Sequence, residues 1–462
     1  FRRVLFRSLI GYYRDSTEAG TAATKAMVMN KIGDAGFLIA LMAIGSQTVN
    51  FDAESLNKAI PGFDPSVAMI AGTGFLLAAL AKSAQFPFHT WLPDAMAGPT
   101  PVSALIHSAT MVAAGVFLLV RWEFLFPEAV GTVAGILGMV TMLMGGWNAL
   151  SQTGLKRLLA WSTVSQLGLM VMAAGFGNTY AALVHLMTHG IFKAGLFLMA
   201  GIVLASIHRQ QDEHSAHELE AIGNSASPGK ALSAGMLLLS MSLTGMPLTA
   251  AYLSKEGILS ALPGYAVTAW FAGSLLTLLY TARLLWYLKP FGNGTDSTDR
   301  RAFIPVMILS GLGLWPTVAR SPLSSVLWNA IELPHNGMLA IAGTAWVIVI
   351  ATALWFTRKG EWIPAIERHT RFIDTDPVYR KLILTPVSAL ARWTAFTDKN
   401  IIDRLLHGFG YFTVALARIT QWFDRHLVDG IVTLTARIAT WTGSLIRRTA
   451  AGDVQGYLWW KI

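Results

Sequence analysis

VAMIAGTGFLLAALAKSAQFPFHTWL, residues 67–92, decides the fold. Up to Ala81 only Thr73 and two glycines interrupt an apolar run, and then Lys82 puts a charge at its end. Hydrocarbon accepts such a run as a helix, because a helix satisfies its own backbone N–H and C=O groups. An ammonium at that depth costs about 2.5–3.5 kcal/mol on insertion scales, so an intramembrane lysine is a functional candidate from the outset. The same pattern recurs at His107, Lys156, His185, His189, Lys193 and Lys255.

The rest of the chain agrees with a membrane reading. Of its 462 residues 53% are hydrophobic and 13% charged, against a charged share of about 25% in soluble domains. There is no cysteine, which excludes thiolate-held iron–sulfur clusters, thiolate zinc sites and disulfides within this chain. Redox chemistry therefore belongs to partners or to a His-ligated cofactor. The net charge of +9 is explained by Lys and Arg gathered in cytoplasmic loops, not by nucleic-acid binding. No GxxxxGK[ST] occurs, which disfavours an ATP-driven pump.

Crossing about 30 Å of hydrocarbon takes roughly 20 apolar residues, and about ten such stretches are present. They lie near 24–47, 66–86, 100–121, 130–149, 157–176, 180–205, 231–259, 265–288, 302–319 and 338–357. Threading them in order puts Arg14, Lys25, Lys156, Arg157, Arg209, Lys230, Lys289, Arg300, Arg301, Arg358 and Lys359 on one side, with Lys58, Arg121 and Arg320 on the other. The first side is expected to be cytoplasmic, or matrix-facing in an organelle. Two spans are expected to be broken: Pro87 and Pro93 follow Lys82, and Gly245 and Pro247 precede Lys255. Broken apolar segments in two corresponding halves point to a transporter built from inverted repeats.

After residue 360 the character changes. Arg418, Gln421, Arg425, Asp429, Thr433, Arg437, Thr440, Ser444 and Arg447 recur every three or four positions, and Phe423, Leu427, Ile431, Leu434, Ile438, Trp441 and Leu445 do so on another face. That is an amphipathic helix that lies along a surface, membrane or partner. The alternative is a soluble helical tail. The domains are thus 1–8, a non-native scar; 9–357, the membrane domain; 358–450, the helical arm; and 451–462, the start of a final anchor helix.

Low dielectric lets a lysine load and release a proton near neutral pH, and histidine does so unaided. Lys82, His107, Lys156, His185, His189, Lys193 and Lys255 can therefore form a relay if their spans pack together, with Asp34 and Glu256 as counter-charges. His185, His189 and Lys193, spaced i, i+4, i+8, share one helix face over roughly 12 Å of rise. Two histidines at i, i+4 also suit a metal, but no third ligand stands nearby; histidines on facing helices also suit haem. Lys156 and Arg157 equally fit a cytoplasmic helix start, and His89 and Asp94 a cap and tether for the kinked loop.

Four stretches carry a resemblance: LAKSAQFPFHTWLPDAMAGPTPVSALIHSATMVAAGVFLL at 80–119, KRLLAWSTVSQLGLM at 156–170, HLMTHGIFKAGLFL at 185–198 and AYLSKEGIL at 251–259. They resemble the antiporter-like membrane subunits of respiratory complex I, the NADH:quinone oxidoreductase, over most of residues 9–357. The resemblance implies an all-α polytopic membrane protein with antiporter-like inverted repeats, two broken helices and a long lateral amphipathic helix. It makes Lys82 the first broken-helix lysine, His107 the connecting group, His185, His189 and Lys193 the central relay, and Lys255 the outlet lysine. Where the family usually has Asp after that lysine this chain has Glu256, and the glutamate that pairs with the first lysine is expected upstream of residue 9. The implied function is proton translocation as a subunit of the translocase, with no redox site and no cofactor in this chain. The implied partners are the neighbouring membrane-arm subunits and the lipid bilayer, and the implied setting is a bacterial inner membrane. A subunit of a multi-subunit sodium/proton antiporter is the second reading; a haem protein is the third.

Overall fold

The computed structural model describes residues 9–13, 15–108, 110–208, 230–247, 249–288, 304–312, 372–379, 381 and 385–449. The expected scar at 1–8, the span at 338–357 and the anchor start at 451–462 lie outside these residues, as do Arg14, Arg209, Lys289, Arg300, Arg301, Arg320, Arg358 and Lys359. The span expected at 302–319 is described as helix over 304–312.

The chain divides into two units, residues 1–375 and 376–462. In the first, the long apolar stretches become helices α1 (Thr17–Gly45), α3 (Pro65–Lys82), α7 (Glu128–Ser151), α8 (Leu155–Gly175), α9 (Thr179–His208) and α12 (Gly264–Leu288), with a short α2 (Ala53–Ala59) between the first two. Counting the stretch Thr100–Arg121, seven spans among the described residues are long and apolar enough to cross a membrane. Their beginnings are readable. Asp52 accepts the Ser55 N–H to cap α2, and Asp64 accepts the Ser66 N–H ahead of Pro65 at the first turn of α3, both ordinary N-cap chemistry.

The two expected breaks are present. α3 stops at Lys82, and the chain turns through Ser83–Thr90 into the short helix α4 (Trp91–Asp94). Near Lys255 the span divides into α10 (Lys230–Thr244) and α11 (Ala250–Ser260). A third interruption was not expected. Thr100–Arg121 consists of α5 (Thr100–Ser108) and α6 (Ala113–Arg121), parted beside His107 without proline or glycine. A side chain from α3's end steadies it: Ser83 Oγ donates to Val112 O at 2.7 Å and accepts the Val116 N–H at 3.0 Å.

α8 is the most enclosed span, and α7 lies along it at glycine distance. A methyl group on Gly168 would sit 2.5 Å from Met142 N, and one on Gly138 would sit 2.3 Å from Met172 N. Small residues let membrane helices approach backbone to backbone, which lipid-like side chains would prevent. Gly168→Leu should lower the stability of the purified protein by about 1–3 kcal/mol or more, read as a fall in its melting temperature and yield. An unchanged melting temperature would contradict this close crossing.

The second unit holds α13 (Thr385–Thr397), α14 (Asp403–Phe423) and α15 (Asp429–Thr449), joined by single wide π-turns at Asp398–Ile402 and Asp424–Val428. Its apolar stripe is the expected one: Phe423, Leu427, Ile431, Leu434, Ile438, Trp441 and Leu445 are all exposed within this chain. Stripes of that size on a helix face mark a surface meant to be covered.

A buried series of basic groups

α9 carries the densest set of buried ionisable groups, and it packs against α5, α6, α8, α10 and α11. His185, His189 and Lys193 are each fully buried, as their common helix face requires. His185 is held from two sides: its Nδ1 lies 2.8 Å from Ser254 Oγ on α11, and its Nε2 lies 3.1 Å from Gln166 Oε1 on α8. Lys193 donates to Leu159 O at 3.3 Å and to the Ser162 hydroxyl, both on α8. His189 and His107 differ from these. Both are fully buried, and neither ring nitrogen of either has a hydrogen-bond partner among the described residues. Buried polar atoms in native proteins are nearly always satisfied, by protein or by ordered water. His107 meets α9 at Phe197, the two rings 4.8 Å apart and tilted by 36°.

The two broken-helix lysines are stabilised differently. Lys82 Nζ is 3.4 Å from Asp34 Oδ1, and both side chains are mostly buried. Asp34 is the expected counter-charge, with exposed Lys31 at 4.0 Å on its other side. Lys255 instead donates to two carbonyls at the end of α10, Leu243 O at 3.0 Å and Thr244 O at 3.1 Å. Helix ends leave carbonyls unsatisfied and carry partial negative charge, so they suit an ammonium. Glu256, also buried, makes no ion pair with Lys255 within 4 Å among the described residues, and its Oε2 has no hydrogen-bond partner there. Successive helical residues diverge by about 100°, so Glu256 stands near Lys255 as a neighbouring charge without closing an ion pair to it. Lys156 occupies the first turn of α8, only partly buried. It sits one turn before the carbonyl of Leu159 that Lys193 uses, a helix-start position at the edge of the series.

Lys25 on α1 donates to Asp94 Oδ2 at 2.7 Å, which makes Asp94 a tether between α1 and α4. His89 is a tether too, its Nε2 3.1 Å from Thr375 Oγ1. Buried Asn148 clamps Ile373, two residues before Thr375, accepting its N–H at 2.9 Å and donating to its C=O at 3.3 Å. Asn148, Gln166, Ser162 and Ser254 were not singled out from sequence, because an uncharged polar residue in an apolar helix carries little signal. Among the described residues no group of three or more His, Asp or Glu side chains is placed to hold a metal ion.

Residues 4–280 match the family model described as NADH:quinone oxidoreductase/Mrp antiporter, transmembrane. The chain belongs to this family. It is 33% identical to NADH-quinone oxidoreductase subunit L of Pseudomonas aeruginosa over 92% of this chain and 74% of the relative. It is 36% identical to subunit L of Escherichia coli over 76% of this chain, but spans 59% of that relative's length. Chain 5 of the Synechocystis NAD(P)H-quinone oxidoreductase is 38% identical, over 66% of this chain and 46% of its own. Among solved structures, the Mrp complex of a Dietzia species matches with a TM-score of 0.65 at 26% identity, over 88% of this chain and 47% of that one. The membrane-bound sulfane sulfur reductase, an archaeal respiratory complex, matches in fold with a TM-score of 0.60 at 22% identity, over 70% of this chain and 67% of that one. The all-helical antiporter-like fold and the membrane setting expected from sequence agree with these relatives.

Proposed function

We propose that this chain is a proton-translocating membrane-arm subunit of a bacterial inner-membrane NADH:quinone oxidoreductase. In this reading it carries protons through its buried Lys/His series and leaves electron transfer to other subunits. The observation that carries the reading is the row His185–His189–Lys193 inside α9, sealed from lipid and linked through Ser254 to the helix bearing Lys255. The residues assigned to the relay are Lys82, His107, His185, His189, Lys193 and Lys255. Asp34 is the counter-charge of Lys82, while Glu256 and Lys156 stand at the margins of the path. Moving one charge against about 150 mV costs about 3.5 kcal/mol, a change that a pKa displacement of roughly two to three units supplies. The exposed apolar stripe of α14 and α15 is assigned to contact with neighbouring membrane-arm subunits and the bilayer surface.

The likeness to an Mrp complex favours a second reading, a subunit of a sodium/proton antiporter. The two separate in sealed vesicles containing the assembled complex. NADH oxidation should acidify the lumen at an undiminished rate in sodium-free buffer. A strict sodium requirement, or sodium uptake matching the acid released, would replace the first reading with the second.

A further inference from the structure

We propose that Ser254 is the proton port of His185 and that Gln166 is the positioning residue that confines the exchangeable proton to that port. This proposal deepens the functional reading above and rests on it.

The argument starts at Thr277, whose hydroxyl donates to Gly273 O at 2.9 Å and so presents only lone pairs to its other neighbour. That neighbour is Gln166, whose Nε2 donates to Thr277 Oγ1 at 3.3 Å and lies 3.5 Å from the Tyr280 hydroxyl. With its amide nitrogen committed there, Gln166 turns Oε1 toward His185 Nε2, 3.1 Å away. An amide oxygen has no proton to give. Nε2 of His185 must therefore carry its proton in both charge states of the ring, which leaves Nδ1 as the only nitrogen that gains or loses one.

Nδ1 faces Ser254 Oγ at 2.8 Å, and that hydroxyl has a second acceptor of its own, Ala251 O at 3.0 Å. The hydroxyl thus has two settings. It donates to Nδ1 when the ring is neutral; when the ring is charged it accepts from Nδ1–H and donates to Ala251 O. Thr188 Oγ1, 3.4 Å from Ser254 Oγ, holds the pair in register across α9 and α11. Loading proceeds by Ser254 handing its hydroxyl proton to Nδ1 while its oxygen takes a replacement proton from the Lys255 ammonium, relayed by an intervening water molecule, which leaves Lys255 as the neutral amine. Discharge reverses both transfers, so one proton moves, no electrons do, and Gln166 exchanges nothing. Both Ser254 and Gln166 are shut off from solvent, so no bulk water substitutes for either. Ser254 also precedes Lys255 directly in α11, which puts the port on the helix that presents the second broken-helix lysine.

The test uses the full-length protein in its assembled complex, reconstituted into sealed vesicles, with protons translocated per NADH oxidised as the readout. Ser254→Ala should lower that ratio at least about tenfold without lowering uncoupled NADH oxidation, and Ser254→Thr should restore most of it. Ser254→Val, matching threonine in size but lacking the hydroxyl, should stay low; this pair decides the matter should the alanine variant assemble poorly. Gln166→Met keeps the length of the side chain and removes the acceptor, and it should also lower the ratio. Normal assembly with a wild-type ratio in Ser254→Val, or in Gln166→Met, overturns the proposal. If the unsubstituted complex itself translocates no protons, the functional reading falls instead, and the two failures are distinct.

Discussion

Lys82→Met in the assembled, full-length protein should abolish most proton translocation, at least about tenfold, and it should also weaken the fold. The second effect follows from Asp34. Its carboxylate lies 3.4 Å from the Lys82 ammonium in a mostly buried setting, with exposed Lys31 at 4.0 Å. Removing one member of a mostly buried ion pair destabilises the fold, by up to about 3–5 kcal/mol, whereas removing both charges is close to neutral. The double variant Lys82→Met/Asp34→Asn should therefore recover the melting temperature lost in Lys82→Met without recovering translocation. That outcome separates the two roles of the lysine, ion-pair partner and proton carrier. A double variant that translocates at the wild-type rate would remove Lys82 from the path, and a single variant as stable as wild type would mean that the ion pair contributes nothing.

The sequence made Lys82 legible because a charge inside a run such as GFLLAALAK has no cheap explanation, and it made Asp34 legible for the same reason. What it could not give was their distance, since 48 positions separate them and only the close approach of α1 and α3 brings them together. Breaks were legible where proline or glycine marks them, after Lys82 and before Lys255. The interruption beside His107 was not, because no proline or glycine marks it and the hydroxyl that steadies it, Ser83 Oγ, donates to a carbonyl and accepts an N–H of a segment some 30 residues on. Glu256 was expected as a counter-charge beside Lys255, and adjacency could not tell that it closes no ion pair within 4 Å, since a helix turns its consecutive side chains apart. Least legible were Gln166 and Ser254. Uncharged amides and hydroxyls are common in membrane helices, and their meaning lies in which way each hydrogen bond runs.

Gly245→Ala should disable the second lysine without touching it. Gly245 ends α10 at φ +78°, with its N–H on Met241 O and Ser242 O and the following Met246 N–H on Met241 O. This is a left-handed helix cap, in which the reversed residue satisfies carbonyls one turn back. The carbonyls of Leu243 and Thr244 stay open, and the Lys255 ammonium fills them. A β-carbon at 245 meets two penalties. The left-handed conformation costs a non-glycine residue about 1–2 kcal/mol, and the added methyl would lie 2.7 Å from Lys255 Cδ. The lysine stem must then swing away from the carbonyls that hold its head, each bond to a charged group contributing about 1.5–3 kcal/mol. Translocation should fall about tenfold with NADH oxidation in uncoupled membranes unchanged. In a Lys255→Met background the same substitution should cost no further translocation, because both changes remove one function. Additive losses would mean that Gly245 acts on the path independently of Lys255, and an unaffected Gly245→Ala would mean that the carbonyl cradle is not where the lysine works.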